Sequence, residues 1–264
     1  MKNTPRFLLL LAASALGITS LHASTVVFSD DFNRANVGPT NNDTLIGNGW
    51  VWPQADGEWA INDGTLVTDK TTPPAPPTGA PRILNQSVSL SDTQSFTYSV
   101  DIFAADASTG WIGLMFDVHS MNNFEIVRFK IGSNSYQALR MEGGSPVTST
   151  LVTKSDATET FTANTWYTIT VTTYVEDVEG SIEFSITRRG SEENLNVANT
   201  ANFGADPESW TNNGFGLFAE SNGKPTFDNM LVTTVPEPGE TSLCLLALAG
   251  AFTLLGRRYL RSRK

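Results

Sequence analysis

Apolar and polar residues alternate through the middle of the chain. The alternation is plainest in FTYSVDIF (Phe96–Phe103), YTITVTTY (Tyr167–Tyr174) and IEFSIT (Ile182–Thr187). A two-residue period puts every second side chain on one face, as a half-buried antiparallel strand requires. Ten such segments are predicted as strands: Val26–Phe32, Thr65–Asp69, Ser95–Ala104, Trp111–Val118, Phe124–Ile131, Tyr136–Met141, Trp166–Tyr174, Ile182–Arg188, Gly214–Glu220 and Phe227–Thr233. No convincing internal helix interrupts them, so the pattern predicts an all-β sandwich. Pro73, Pro74, Pro76, Pro77 and Pro81 crowd one stretch. Proline cannot donate to a sheet ladder, so Lys70–Arg82 reads as an exposed loop. Gly190–Trp210, rich in Asn and Glu, reads as a second long loop.

The two ends break this pattern. Lys2 and Arg6 precede the apolar run Phe7–Leu16, and Ala23 offers a small residue for cleavage. That order is the layout of a secretory signal peptide, assigned to 1–23. At the other end VPEP (Val235–Pro238) precedes the apolar stretch Ser242–Gly256 and the basic residues Arg257, Arg258, Arg261, Arg263 and Lys264. The apolar stretch is shorter than the about 20 residues that a spanning helix usually needs. The basic tail fits a cytoplasmic stop. Pro236, Glu237 and Pro238, the apolar segment and the Arg257–Arg258 pair together resemble the PEP-CTERM sorting signal of Gram-negative bacteria. The resemblance implies export through the inner membrane, transient anchoring by a transmembrane helix over 242–256, and processing by an exosortase-type membrane protease. It places the mature protein at the cell surface or in the extracellular matrix, with 24–234 as the exported domain and 235–264 as the sorting segment.

Charge narrows the partners of the exported part. Seven of the 17 Lys and Arg residues lie outside Ser24–Thr241, whereas all 27 Asp and Glu lie within it. The central part is therefore far more acidic than the chain's net −10. Nucleic acid and anionic membrane surfaces are excluded as natural partners. Cys244, the single cysteine, lies in the apolar tail, so the central domain has neither a disulfide nor a thiolate nucleophile.

DDFNR (Asp30–Arg34), WIGLMFD (Trp111–Asp117), FEIVRF (Phe124–Phe129) and KPTFDNMLV (Lys224–Val232) resemble segments of concanavalin A-like jelly-roll domains, including laminin-G-like and secreted glucanase-like members. That resemblance implies a jelly-roll β-sandwich whose first and last strands are neighbours, with Asp31 brought close to Asp228. It also implies a structural calcium there, for which Asp30, Asp31 and Asp228 are the candidate ligands, because calcium takes several carboxylate and carbonyl oxygens. The competing role for these carboxylates is turn capping. No cofactor is essential to this reading.

Catalysis has weaker support in the residues. Laminarinase-like enzymes of this fold carry E-x-D-x-x-E along one strand, and that pattern is absent. Glu176, Asp177 and Glu179 cluster at a predicted turn. Asp117, His119 and Glu125 are the remaining catalytic candidates, with Asp117 and Glu125 able to face one another across a hairpin. A binding or structural role is therefore expected ahead of an enzyme. Sugars stack on exposed aromatic rings, and Trp50, Trp52 and Trp210 are the candidate ligand-binding residues, in Gly- and Asn-rich surroundings. Trp111 and Trp166 begin strands and are assigned to the core. The expected function is an exported surface or matrix protein with a carbohydrate-binding or structural domain; the alternative is a glycoside hydrolase or polysaccharide lyase on the same fold.

Overall fold

The computed structural model describes residues 24–40, 46–51, 59–68, 82–85, 87–88, 90–91, 94–106, 110–147, 152–174, 180–205, 214–220 and 225–235. Seventeen strands lie among them: β1 (Val26–Asp30), β2 (Val37–Thr40), β3 (Trp50–Val51), β4 (Trp59–Asn62), β5 (Thr65–Thr68), β6 (Arg82–Asn85), β7 (Phe96–Ala104), β8 (Trp111–Ser120), β9 (Asn123–Lys130), β10 (Tyr136–Glu142), β11 (Ser145–Pro146), β12 (Val152–Lys154), β13 (Trp166–Thr173), β14 (Ser181–Arg188), β15 (Thr200–Asn202), β16 (Phe215–Ala219) and β17 (Pro225–Thr234). Sheet A runs β15-β14-β13-β7-β17-β5-β4-β2, with β1 also on β17; sheet B runs β11-β10-β9-β8-β16-β6-β3, with β12 also on β10. Every strand pairing is antiparallel.

Alternation decides which face of each strand is buried. Tyr98, Val100 and Ile102 of β7, Tyr167, Ile169 and Val171 of β13, and Phe227 and Val232 of β17 turn inward from sheet A. Ile112, Leu114 and Phe116 of β8 and Val127 and Phe129 of β9 meet them from sheet B. The polar residues between them, such as Thr97, Ser99 and Asp101, take the other face of β7. The order of the chain in sheet A puts first and last strands together: β1 pairs β17 with Asp30 opposite Met230.

Short strands depend on their turns. Asp63 (φ 47°) and Gly64 (φ 75°) both have left-handed backbones between β4 and β5, and Asn62 pairs with Thr65. Two successive positive φ angles are the signature of a type I′ hairpin turn, which Asp-Gly favours. Gly143 and Gly144 play the same part between β10 and β11.

Sheet B carries a second, smaller apolar cluster of Leu84, Met115, Phe124, Ile126, Leu139 and Phe218. Register places these residues on the side away from the main core. The Arg128 guanidinium lies 4.9 Å from the Trp111 ring centroid and 5.5 Å from that of Phe218. Burial pushes the Arg128 pKa down to about 10, even with Glu220 nearby to hold it up.

The described residues contain no α-helix, and no helix among them is long and apolar enough to cross a membrane. The expected transmembrane helix over 242–256 lies outside the described residues and gains no support from them, so it and the membrane anchoring that rested on it are not carried further; the described residues form an all-β two-sheet sandwich. Pro236, Glu237, Pro238, Arg257 and Arg258 lie outside the described residues.

Candidate functional site

Asp101 stands at the centre of the outer face of sheet A. Its strand neighbours opposite are Thr168 on β13 and Asp228 on β17. Two carboxylates thus face outward side by side, a pairing that disfavours ionisation of both. Thr168 donates its hydroxyl to Asp101 Oδ1 at 2.6 Å. Arg189 links the carboxylates, with Nε 2.9 Å from Asp101 Oδ2 and Nη2 3.2 Å from Asp228 Oδ2. The same guanidinium lies 4.9 Å from the centroid of Trp166, which also packs on Phe103 at 5.2 Å.

A bulge in β17 completes the arrangement. Register shifts between Asp228 and Leu231, and Asn229 takes a left-handed backbone with φ 50°. A bulge inserts an extra residue and re-aims its side chain. Asn229 Nδ2 here donates to Asp101 Oδ2 at 2.9 Å and approaches Asp228 Oδ2 at 3.3 Å. Asp228 is raised above the usual carboxylate range by burial and by the Asp101 charge, against the opposing Asn229 amide and Arg189.

Beside this pair a cavity of about 600 Å³ is lined by Asp31, Asn48, Ser99, Asp101, Asn229 and Leu231, with Asp30 and Arg34 at its wall. Asp30 behaves differently from its neighbours. Its Oδ1 accepts from the Phe32 amide at 2.8 Å and Arg34 Nη1 at 2.7 Å; its Oδ2 accepts from Arg34 Nη2 at 2.9 Å and Trp50 Nε1 at 2.8 Å. Burial acts to raise its pKa, but the hydrogen bonds from Arg34, the Phe32 amide and Trp50 outweigh it and hold Asp30 below its ordinary value.

These contacts correct the metal reading. A carboxylate has about four lone-pair positions, and four donors occupy those of Asp30, leaving none for a cation. Asp31 caps the Asn33 amide at 3.0 Å. Asp228 lies opposite Asp101 and takes Arg189 and the Asn229 amide. No group of three or more His, Cys, Asp or Glu side chains suited to a metal occurs among the described residues. The geometry of these carboxylates lends the calcium expectation no support.

The aromatic and catalytic candidates also move. Trp50 is 1% exposed, packed against Phe28, Phe32 and Phe215, so neither ring face is open to a sugar. Trp52 and Trp210 lie outside the described residues. Trp111 and Trp166, expected in the core, are partly exposed on the outer faces of the two sheets. Asp117 has a left-handed backbone (φ 48°) where β8 slips register between Phe116 and Ser120, and its Oδ1 is 3.1 Å from His119 Nε2. Glu125 turns inward, on the face of β9 that carries Val127 and Phe129. Its Oε1 takes Arg140 Nη2 at 2.7 Å and Nε at 3.1 Å, and both side chains are 4% exposed. Burial raises Tyr98 well above the ordinary phenol range, and the charges of Asp117 and Glu125 add to it.

Sequence reasoning missed Asp101, Arg189 and Asn48. Asp101 is the one charged residue within the FTYSVDIF alternation, on its polar face, and that was the available signal.

No family model matches this chain, and no curated protein does. The PEP-CTERM resemblance is thus without a matching family, and the sorting assignment is withdrawn. Solved structures do share the fold: 112 chains are similar. The carbohydrate-binding module CBM66 from Bacillus subtilis is 17% identical with a TM-score of 0.50, covering 70% of this chain and 94% of that one. The GH43 protein BlXynB from Bacillus licheniformis is 16% identical with a TM-score of 0.51, covering 78% of this chain and 39% of that one. A bifunctional GH43-CE protein from Bacteroides eggerthii is 15% identical with a TM-score of 0.53, covering 77% of this chain and 27% of that one. This chain therefore spans well under half of either GH43 protein. The expectation that set an enzyme behind a binding or structural role is not carried further, because the likeness to these structures shows the shared fold and does not rank those roles.

Proposed function

We propose that this domain is carbohydrate-active and that its site is the cavity beside Asp101 and Asp228, with glycosidic-bond hydrolysis as the leading activity. One observation carries the reading: a polar cavity of about 600 Å³ opens next to a pair of carboxylates whose environments differ. Asn48, Ser99, Asn229 and Asp31 offer the mixed donors and acceptors that fix sugar hydroxyls. Hydrolysis of a glycoside needs a proton for the departing oxygen. Asp228 is the group suited to supply it, since burial and the Asp101 charge make it hold its proton more tightly than an ordinary aspartate. Asp101, held by Thr168, Asn229 and Arg189, is the carboxylate that faces it.

The test uses the full chain with neutral glucans and xylans. New reducing ends are expected, and Asp228→Asn is expected to remove them while binding, followed by calorimetry, persists. Binding without release in the wild type leaves carbohydrate binding through the same cavity as the surviving reading. Absence of both overturns the proposal.

A further inference from the structure

A second cavity, about 440 Å³, is lined by Gly38, Ala60, Val67, Thr68, Ala105 and Thr226. Its placement follows from register. Thr226 pairs with Val67 of β5, which pairs with Ala60 of β4. Thr226 precedes Asp228 by two positions on β17, and alternate residues of a strand share a face. Thr226, Val67 and Ala60 therefore open on the same outer face of sheet A as the Asp101–Asp228 pair. Leu231, beyond the bulge, lines the first cavity on that face.

Along β17 the order is thus second cavity, carboxylate pair, first cavity. From Thr226 to Leu231 the strand covers roughly 15 Å at the usual rise per residue. The two cavities differ in lining. The first is polar. The second is built mainly from small apolar side chains, with Asn36 and Asn62 at its margin, which suits the C–H face of a sugar ring with hydroxyls at the rim.

We propose that the two cavities are the ends of one groove that holds a linear, neutral polysaccharide along β17, so that Asp101 and Asp228 meet a bond inside the chain and not at its terminus. This rests on the carbohydrate reading above and adds the length and character of the substrate. Charge supplies the second half. Asp30, Asp31, Asp101 and Asp228 lie along the groove against the two guanidiniums of Arg34 and Arg189. The resulting negative excess repels uronate or sulfated chains.

The experiment compares disaccharides and hexasaccharides of neutral glucan and xylan, by calorimetry on the full chain. The hexasaccharide is expected to bind at least about tenfold more tightly, a factor equivalent to one or two additional hydrogen bonds. Gly38→Trp fills the second cavity at little folding cost, because a Cβ added at Gly38 meets no atom within 4 Å. It is expected to bring hexasaccharide affinity down to that of the disaccharide and to leave disaccharide affinity unchanged. Val67→Arg, placed on the same face, is a second block. Equal affinity for both lengths in the wild type, or equal weakening of both lengths by either variant, overturns the groove while leaving the single-cavity reading intact. Binding of neither length removes the carbohydrate reading and the groove with it.

Discussion

Asp30 and Asp228 lie on adjacent strands of sheet A, and the fold shifts their pKa values in opposite directions. Asp30 is deeper, yet it is the better ionised of the two. Four hydrogen bonds reach its oxygens, two of them from one guanidinium in a bidentate fork. Asp228 is shallower and sits opposite a second carboxylate, with a single guanidinium shared between them. Burial acts to raise both pKa values; what differs is the supply of donors. Asp30 binds the β1 end to Arg34 and to the core indole of Trp50, so its charge serves stability. Asp228 is left with charge that the fold does not fully neutralise, next to a cavity, and groups shifted in that way concentrate at functional sites.

The largest effect should come from breaking the satisfied side of this contrast. Asp30→Ala strands the Arg34 guanidinium and the Trp50 indole N–H. Removing one partner of a buried pair typically costs about 3–5 kcal/mol, so urea unfolding should show a loss of that order. A loss under about 1 kcal/mol would place Asp30 with ordinary surface ion pairs and erase the contrast. Its pH dependence has a definite sign. A carboxylate whose pKa is depressed by folding contributes fully above its unfolded value, and that contribution fades as pH falls through the folded value. Wild-type stability should therefore decline below about pH 4, and Asp30→Asn should decline less over the same window.

Glu125→Ala should come next. Glu125 pairs with Arg140 in the sandwich interior, where Arg140 also donates to the Ala205 carbonyl at 2.8 Å and the Gly204 carbonyl at 3.1 Å. Those carbonyls retain part of Arg140's hydrogen bonding, so the expected loss is about 3 kcal/mol, the lower end of the range for a broken buried pair. Replacing both partners, as Glu125→Leu with Arg140→Met, should recover much of that loss. If Glu125→Ala abolished sugar cleavage in a chain of unchanged stability, Glu125 would move from the structural side of the comparison to the catalytic side.

The sequence announced the long strands and hid the site. Phe96–Ala104, Trp166–Thr173 and Ser181–Arg188 were legible because each buries one face only, which writes a two-residue period into the chain. Arg82–Asn85 was hidden because all four of its residues are buried and no alternation remains, and because prolines run up to its start. The Trp59–Asn62 strand left a readable sign in Asp63-Gly64, whose turn chemistry marks a hairpin. Tryptophans misled for a related reason. The Gly-rich surroundings of Trp50 suggested a surface loop, whereas register carries its ring into the core against Phe215. The carboxylate pair was invisible because Asp101 and Asp228 are brought together only by the pairing of β7 with β17, across more than a hundred residues of chain. Short-range spacing contains no trace of that contact.

The smallest expected effect tests the unsatisfied side directly. In Asp228→Asn the side chain keeps its shape and its acceptor for the Asn229 amide, and loses the charge that faces Asp101. It also loses its share of Arg189, a half-exposed cation whose second contact, to Asp101, survives. The raised pKa decides between these opposing changes: relative to the unfolded chain, the fold prefers the neutral form of Asp228. A group of that kind weakens the folded state as pH rises through its unfolded and then its folded pKa, and has no such cost below the unfolded value. Asp228→Asn should therefore be as stable as the wild type near pH 3, and slightly more stable at pH 7, by less than about 1 kcal/mol. Thermal melts at the two pH values read the difference. A variant less stable than the wild type at pH 7 would mean that Arg189 satisfies Asp228 as fully as Arg34 satisfies Asp30. The carboxylate beside the cavity would then be a structural ion pair, without the excess charge on which its role as a proton donor depends.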